Sequence, residues 1–287
     1  MVELLLHSQT KVDIDNYLVG QGHALLISGP IGAGKLYVAQ HVASQLLNKN
    51  VESLMNYPFY KHITTAANNI GINEVRQIHT FLKLKTTGQA TVRRIIIVEN
   101  AHLMSEEAQN SFLKILEEPP TDTVIIMTAS HAQSILPTIL SRVQQIEIKR
   151  PTLDQINNFY SSKTTESVNR AYQLSSGWPG MMSDILSDNQ TNPLFTAIVM
   201  VKELLTAPVF ERLLKVDEIS RDKDQLNRLI FALKQVCKIT IEKLADSKQG
   251  EDIKRWHNLY NQAYLAEKRL LNSASPKLVI TDLFLQM

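Results

Sequence analysis

The stretch SGPIGAGKLYVAQ, Ser28 to Gln40, decides how the first half of the chain is read. From Gly29 it has the form G-x-x-x-x-G-K. That is the pattern of a phosphate-binding loop, whose backbone N–H groups cradle an anion while the lysine, here Lys35, reaches its outer oxygens. The pattern then breaks. Magnesium coordination wants a Ser or Thr hydroxyl after the lysine, and this chain has Leu36. The loop motif alone is weak, so its surroundings matter. The short apolar run ALLIS (24–28) precedes it, and KLYVAQHVASQLL follows, with Val38, Val42, Ala43 and Leu46 on one helical face. Strand, glycine-rich loop and helix N-terminus in that order make an anion site. Gly29, Gly32, Gly34 and Lys35 are the candidate phosphate contacts.

Outward from the loop, strand-like and helix-like segments alternate. RRIIIVEN (93–100) and TVIIMTAS (123–130) are unbroken apolar runs, as expected of strands covered on both faces of a parallel sheet. QQIEI (144–148) alternates and reads as a strand nearer an edge. Between them SEEAQNSFLKILEEPP (105–120) is a marked helix. Ser105 can cap it, Glu106 and Glu107 suit its positive end, and Pro119 and Pro120 stop it. Ala108, Phe112, Ile115 and Leu116 form its apolar stripe. This order predicts a doubly wound α/β domain over 1–150.

The pattern changes at Pro151, after which only helices are read. PTLDQINNFY opens on a capping box, Thr152 with Gln155. A further helix near 165–175 ends at SSGWPG, giving a small helical domain over 151–187. After the polar joint SDNQTNP (187–193), amphipathic helices are expected at about 194–206, 209–219, 224–246 and 251–272, an all-α domain over 188–287.

Composition narrows the function. A net charge of +2 makes the chain as a whole no strongly basic nucleic-acid binder, so any DNA contact needs a local patch. Lys83, Lys85, Arg93 and Arg94 flank a Thr/Gly-rich loop and could form one, although a solvated charged face is the plainer reading. The single cysteine, Cys237, excludes an intrachain disulfide and a four-cysteine zinc module. The eight histidines show no ligand spacing, and Trp178 and Trp256 read as packing residues, so no metal site is expected. The opening residues lack the apolar core and cleavage site of a signal peptide, and no apolar run approaches a membrane span; a cytoplasmic protein is expected.

A hydrolytic site of this kind also needs a second strand ending in an acidic residue that holds magnesium through water, followed by a carboxylate that activates the attacking water. In IIIVENAHLMS, Glu99 takes the first place and Asn100 the second, and an amide cannot accept a proton near neutral pH. A register shifted by one makes Glu99 the base but puts Val98 at the metal position. Either register loses one function.

Together GHALLISGPIGAGK, GINEVRQIHTFL, ENAHLMSEEAQNSFLKILEEPP and ILPTILSRVQQIEI resemble the clamp-loader branch of AAA+ proteins, and within it the delta-prime family of bacterial DNA polymerase III subunits. The resemblance carries specific motifs over about 22–185 and is architectural beyond. It implies an AAA+ domain with parallel sheet, a helical lid and a helical collar that assembles the ring. It further implies a subunit of the polymerase III holoenzyme that does not hydrolyse ATP. Gamma/tau and delta subunits would be its partners, with the sliding clamp and primer-template DNA reached through the complex. Arg142, in Ser141-Arg142-Val143, would be an arginine finger acting in trans; the family's cysteine after it is valine here. A guanidinium near a γ-phosphate offsets charge in the transition state. The family's zinc module has no cysteines around NVESLMNYPFYKH, and the lid arginine is absent from SGWPGMMSD, where Met181 and Met182 stand. The first sensor would be Thr128 or Ser130. No cofactor is then required, though residual ATP or phosphate binding stays possible. An ATP-hydrolysing gamma/tau-like motor is the alternative.

Overall fold

Five short strands build one sheet in the computed structural model, which describes residues 4–20, 22–64, 69–187, 193–247 and 250–287. They are β1 (Ala24–Ser28), β2 (Tyr60–Ile63), β3 (Arg94–Val98), β4 (Thr123–Ala129) and β5 (Gln144–Glu147), all parallel, in the order β2-β3-β4-β1-β5. β1, β3 and β4 are buried throughout, which is why they read as continuous apolar runs. β5 is an edge and buries only Ile146, hence its alternation.

By internal contacts the described chain falls into two compact units. The first comprises Met1–Tyr160 together with Trp178–Gly180. Its helices are α1 (Ser8–Gly20), α2 (Lys35–Leu47), α3 (Val51–Leu54), α4 (Ile72–Leu82), α5 (Glu106–Glu117), α6 (Pro137–Leu140) and α7 (Leu153–Phe159). The pleat sorts the strand residues into two cores. Leu25, Ile27, Ile95, Ile97, Val124 and Ile126 pack with Ile14 and Tyr17 of α1 and Val38 and Val42 of α2. Leu26, Ile96, Val98, Ile125 and Met127 pack with Val75 and Ile78 of α4 and Ala108, Phe112, Ile115 and Leu116 of α5. The expected α5 stripe is thus the buried one, and Ser105 Oγ accepts from the Ala108 N–H at 3.1 Å as a cap. The capping box Thr152/Gln155 opens α7 as expected.

The second unit, Ser161–Gly177 with Met181–Met287, is helical. Beyond α8 (Thr165–Ser175) and α9 (Pro179–Leu186) it holds α10 (Pro193–Thr206), α11 (Val209–Leu214), α12 (Val216–Arg221), α13 (Lys223–Ser247), α14 (Gly250–Leu271) and α15 (Pro276–Gln286). Helix α13 buries Leu226, Ile230 and Leu233 and packs between α10 and α14. The single helix expected over 209–219 is two. The Lys215 N–H turns to the Arg212 carbonyl, an i to i−3 bond that interrupts the α-helical ladder. The buried Arg212 guanidinium donates to the carbonyls of Leu204, Ala207 and Phe284, tying α10 and α15 to that corner. Most of the polar joint at 187–193 lies outside the described residues. No described helix is long and apolar enough to cross a membrane.

Candidate functional site

The glycine-rich loop leaves the end of β1 and opens α2, and Gly32 and Gly34 both take left-handed φ of +84°. A side chain there would be strained, which is the physical reason for glycine at both places. Lys35 is turned inward. Its Nζ donates to the carbonyls of Gly29 at 2.8 Å and Pro30 at 3.0 Å. Burial pushes its pKa down to about 8, with the Glu99 carboxylate acting in the opposite sense. Leu36 packs against the α2 core and offers no oxygen.

The loop is also covered. The Gly180 backbone lies so close that an added Cβ would stand 2.5 Å from Gly34 Cα and 2.9 Å from the Gly32 carbonyl oxygen. Trp178 beside it packs on the core that includes α2, in line with its reading as a packing residue. Trp256 lines a cavity of about 420 Å³ within the helical unit, with Lys202 and Arg255. Met181 and Met182, which stand in SGWPGMMSD in place of an arginine, are fully buried apolar residues.

Glu99 follows β3 directly. Residues 95 and 97 face the core containing α2 and residue 98 the opposite one, so the pleat leaves Val98 buried away from the loop. The Glu99 carboxylate acts on the charge of Lys35 in the loop, while Val98 belongs to the opposite core. Its carboxylate pairs with His62 Nε2 at 3.0 Å, and its N–H donates to the Ile63 carbonyl. Asn100 adopts a left-handed φ of +54° and donates its N–H to Thr128 Oγ1 at 2.9 Å. Of the two sensor candidates, Thr128 is buried against Asn100, while the Ser130 N–H points to His102 Nδ1 at 3.4 Å. Burial, and then the charges of Lys35 and His131, push the His102 pKa down to about 4.

Arg142 sits after α6 and makes no bond to these groups. Its guanidinium donates to Thr138 O at 2.9 Å, to Ser141 Oγ at 3.2 Å and to Glu117 Oε1 at 2.9 Å. Val143 packs on the α5 core.

Two of the four cations weighed for DNA are otherwise engaged. Arg94 is buried under Phe81, donating to the carbonyls of Leu82 and Leu84. Arg93 binds Thr86, the Gly88 carbonyl and Asp122. Arg94 is not on a solvated face, Arg93 is part-exposed, and Lys83 and Lys85 are exposed. The sequence reading also missed His62, Gly180 and Glu117. Strand β2, which carries His62, gives no apolar run, and the other two act through contacts distant in sequence. Among the described residues no cluster of three potential metal ligands occurs.

The fold is thus a parallel α/β unit with a glycine-rich loop after its first strand, joined to a helical unit. A crystal structure of a DNA polymerase III gamma subunit-related protein from Thermotoga maritima shares this fold with a TM-score of 0.57, at 17% identity over 96% of this chain and 97% of that one. Residues 19–152 match the family described as DNA polymerase III, delta subunit. The delta' subunit of Pseudomonas aeruginosa is 29% identical over 177 residues, 55% of this chain and 53% of that protein. The tau subunit of Bacillus subtilis is 33% identical over 147 residues, 47% of this chain and 26% of that protein. The chain thus spans about half or less of these two relatives. Its first half is similar to clamp-loader subunits of the delta-prime-like kind.

Proposed function

We propose that the chain is a non-hydrolysing, delta-prime-like subunit of a bacterial DNA polymerase III clamp loader, helping to load the sliding clamp on primed DNA. One observation carries this reading: the phosphate loop is closed on itself. Lys35 is held by the loop's own carbonyls and Gly180 covers Gly34. Leu36 supplies no magnesium ligand, and Asn100 cannot act as a base.

Arg142 would then serve a neighbouring gamma/tau ATP site in trans. Its own chain has no complete site to use it, and its guanidinium, 36% exposed, is open to a neighbour. The helices from 188 onward would form the collar that assembles the ring with gamma/tau and delta subunits, and 151–187 the lid. The setting would be the cytoplasm, with no zinc or other cofactor required.

The test is an assembled complex carrying Arg142→Ala. Its DNA- and clamp-stimulated ATPase should fall while assembly stays intact, because a half-exposed arginine contributes little to stability. Arg142→Lys should rescue only in part, since an ammonium lacks the two-pronged planar donor. Full stimulated activity in Arg142→Ala would refute the trans role. The likeness to a tau subunit favours a second reading, an ATP-hydrolysing motor; steady-state turnover by the pure chain would establish it.

A further inference from the structure

We infer that Glu117 is the resident counter-ion of Arg142, holding the guanidinium back until the phosphate of a neighbouring subunit displaces it. This rests on the reading of Arg142 as a residue acting in trans. Glu117 is the last residue of α5, which Pro119 and Pro120 prevent from continuing. A carboxylate at that end faces the negative pole of the helix and is locally unfavourable. Arg142 is what compensates it: Glu117 Oε1 lies 2.9 Å from a terminal nitrogen of the guanidinium.

The other two bonds of the guanidinium go to neutral oxygens, the Thr138 carbonyl and Ser141 Oγ, and fix its plane against α6. Among the described residues Glu117 is the one charged partner of Arg142. A guanidinium has five N–H donors, and these three bonds leave two, the Nε–H and one outer N–H, at which an incoming phosphate first engages before it displaces Glu117. With the two side chains 36% and 49% exposed, the pair is a weak surface bridge. A phosphate group, more highly charged and able to present two oxygens, outcompetes one carboxylate oxygen for that fork. Glu117 is therefore a positioning residue: it keeps the charge of Arg142 neutralised while no nucleotide is presented, and yields when one is.

The experiment uses the assembled complex with the full chain and measures DNA-stimulated ATP hydrolysis against ATP concentration. Glu117→Gln, isosteric and half exposed, removes the competing charge. It should lower KM for ATP by about two- to five-fold with kcat unchanged, the range a surface ion pair spans. The effect should vanish in an Arg142→Ala background and shrink in about 0.5 M salt. Glu117→Asp, which keeps the charge, should stay closer to the parent. An unchanged or raised KM in Glu117→Gln, or an effect that persists without Arg142, overturns the inference. If Arg142→Ala lowers turnover while Glu117→Gln leaves KM alone, the trans reading stands and the counter-ion role falls. If Arg142→Ala changes nothing, both fall.

Discussion

Gly180 packs backbone to backbone on Gly34, its missing Cβ leaving only 2.5 Å to the Cα and 2.6 Å to the N of that loop residue. Gly34 is the N-cap of α2, so its N–H belongs to the very cradle that would receive a phosphate. An ordinary helical glycine gains up to ~1 kcal/mol on becoming alanine. Gly180→Ala should instead lose ~1–3 kcal/mol, because a methyl group has to displace backbone on both sides. Urea unfolding of the two proteins decides it; a more stable Gly180→Ala protein would show that the contact is loose.

The same closure predicts nucleotide behaviour. The pure chain should not turn over ATP, and magnesium-ATP should bind weakly at best, since the incoming phosphate has to displace Gly180 and recover Lys35 from the carbonyls of Gly29 and Pro30. Calorimetry yielding a sub-micromolar constant contradicts this. So does steady-state turnover near ~1 per second that Lys35→Ala abolishes.

Acid should act through His102. Its folded pKa of about 4 lies below the ordinary 6.5, so the unfolded chain takes up its proton first. The stability this group confers is therefore complete above pH 6.5 and is lost as the pH falls toward 4. The loss should amount to ~1–3 kcal/mol across that interval. His102→Gln should flatten the difference between urea midpoints taken at about pH 7 and about pH 4.5. Equal pH dependence in the two proteins would remove His102 from the account.

The cap of α5 is a local test of the fold. Ser105→Ala leaves the Ala108 N–H without its partner and should cost ~1 kcal/mol in chemical denaturation. Ser105→Asp should restore most of it, because an aspartate caps equally well and meets the positive helix end. A Ser105→Ala protein as stable as the parent means solvent satisfies the N–H as well as the hydroxyl does.

Some of this was written locally in the chain. The runs at 24–28, 93–100 and 123–130 read as strands and contain β1, β3 and β4, and the stripe of Ala108, Phe112, Ile115 and Leu116 reads as the inner side of a helix and is buried. Periodicity and caps are short-range properties, so one stretch of residues suffices to state them. The loss of the magnesium ligand at Leu36 was equally legible, because the motif requires a particular atom at a particular position. Strand β2 was not: Tyr60-Lys61-His62-Ile63 exposes two polar side chains in part and has no run of apolar residues to betray it. Nor was the choice between Glu99 and Val98, which depends on which core each residue enters once the pleat is laid between α2 and α5. The pairings of Glu99 with His62, Arg142 with Glu117 and Gly34 with Gly180 belong to the tertiary structure alone. Each joins segments far apart in sequence, and a contact of that kind exists only after the sheet order β2-β3-β4-β1-β5 and the packing around it have fixed where those segments meet.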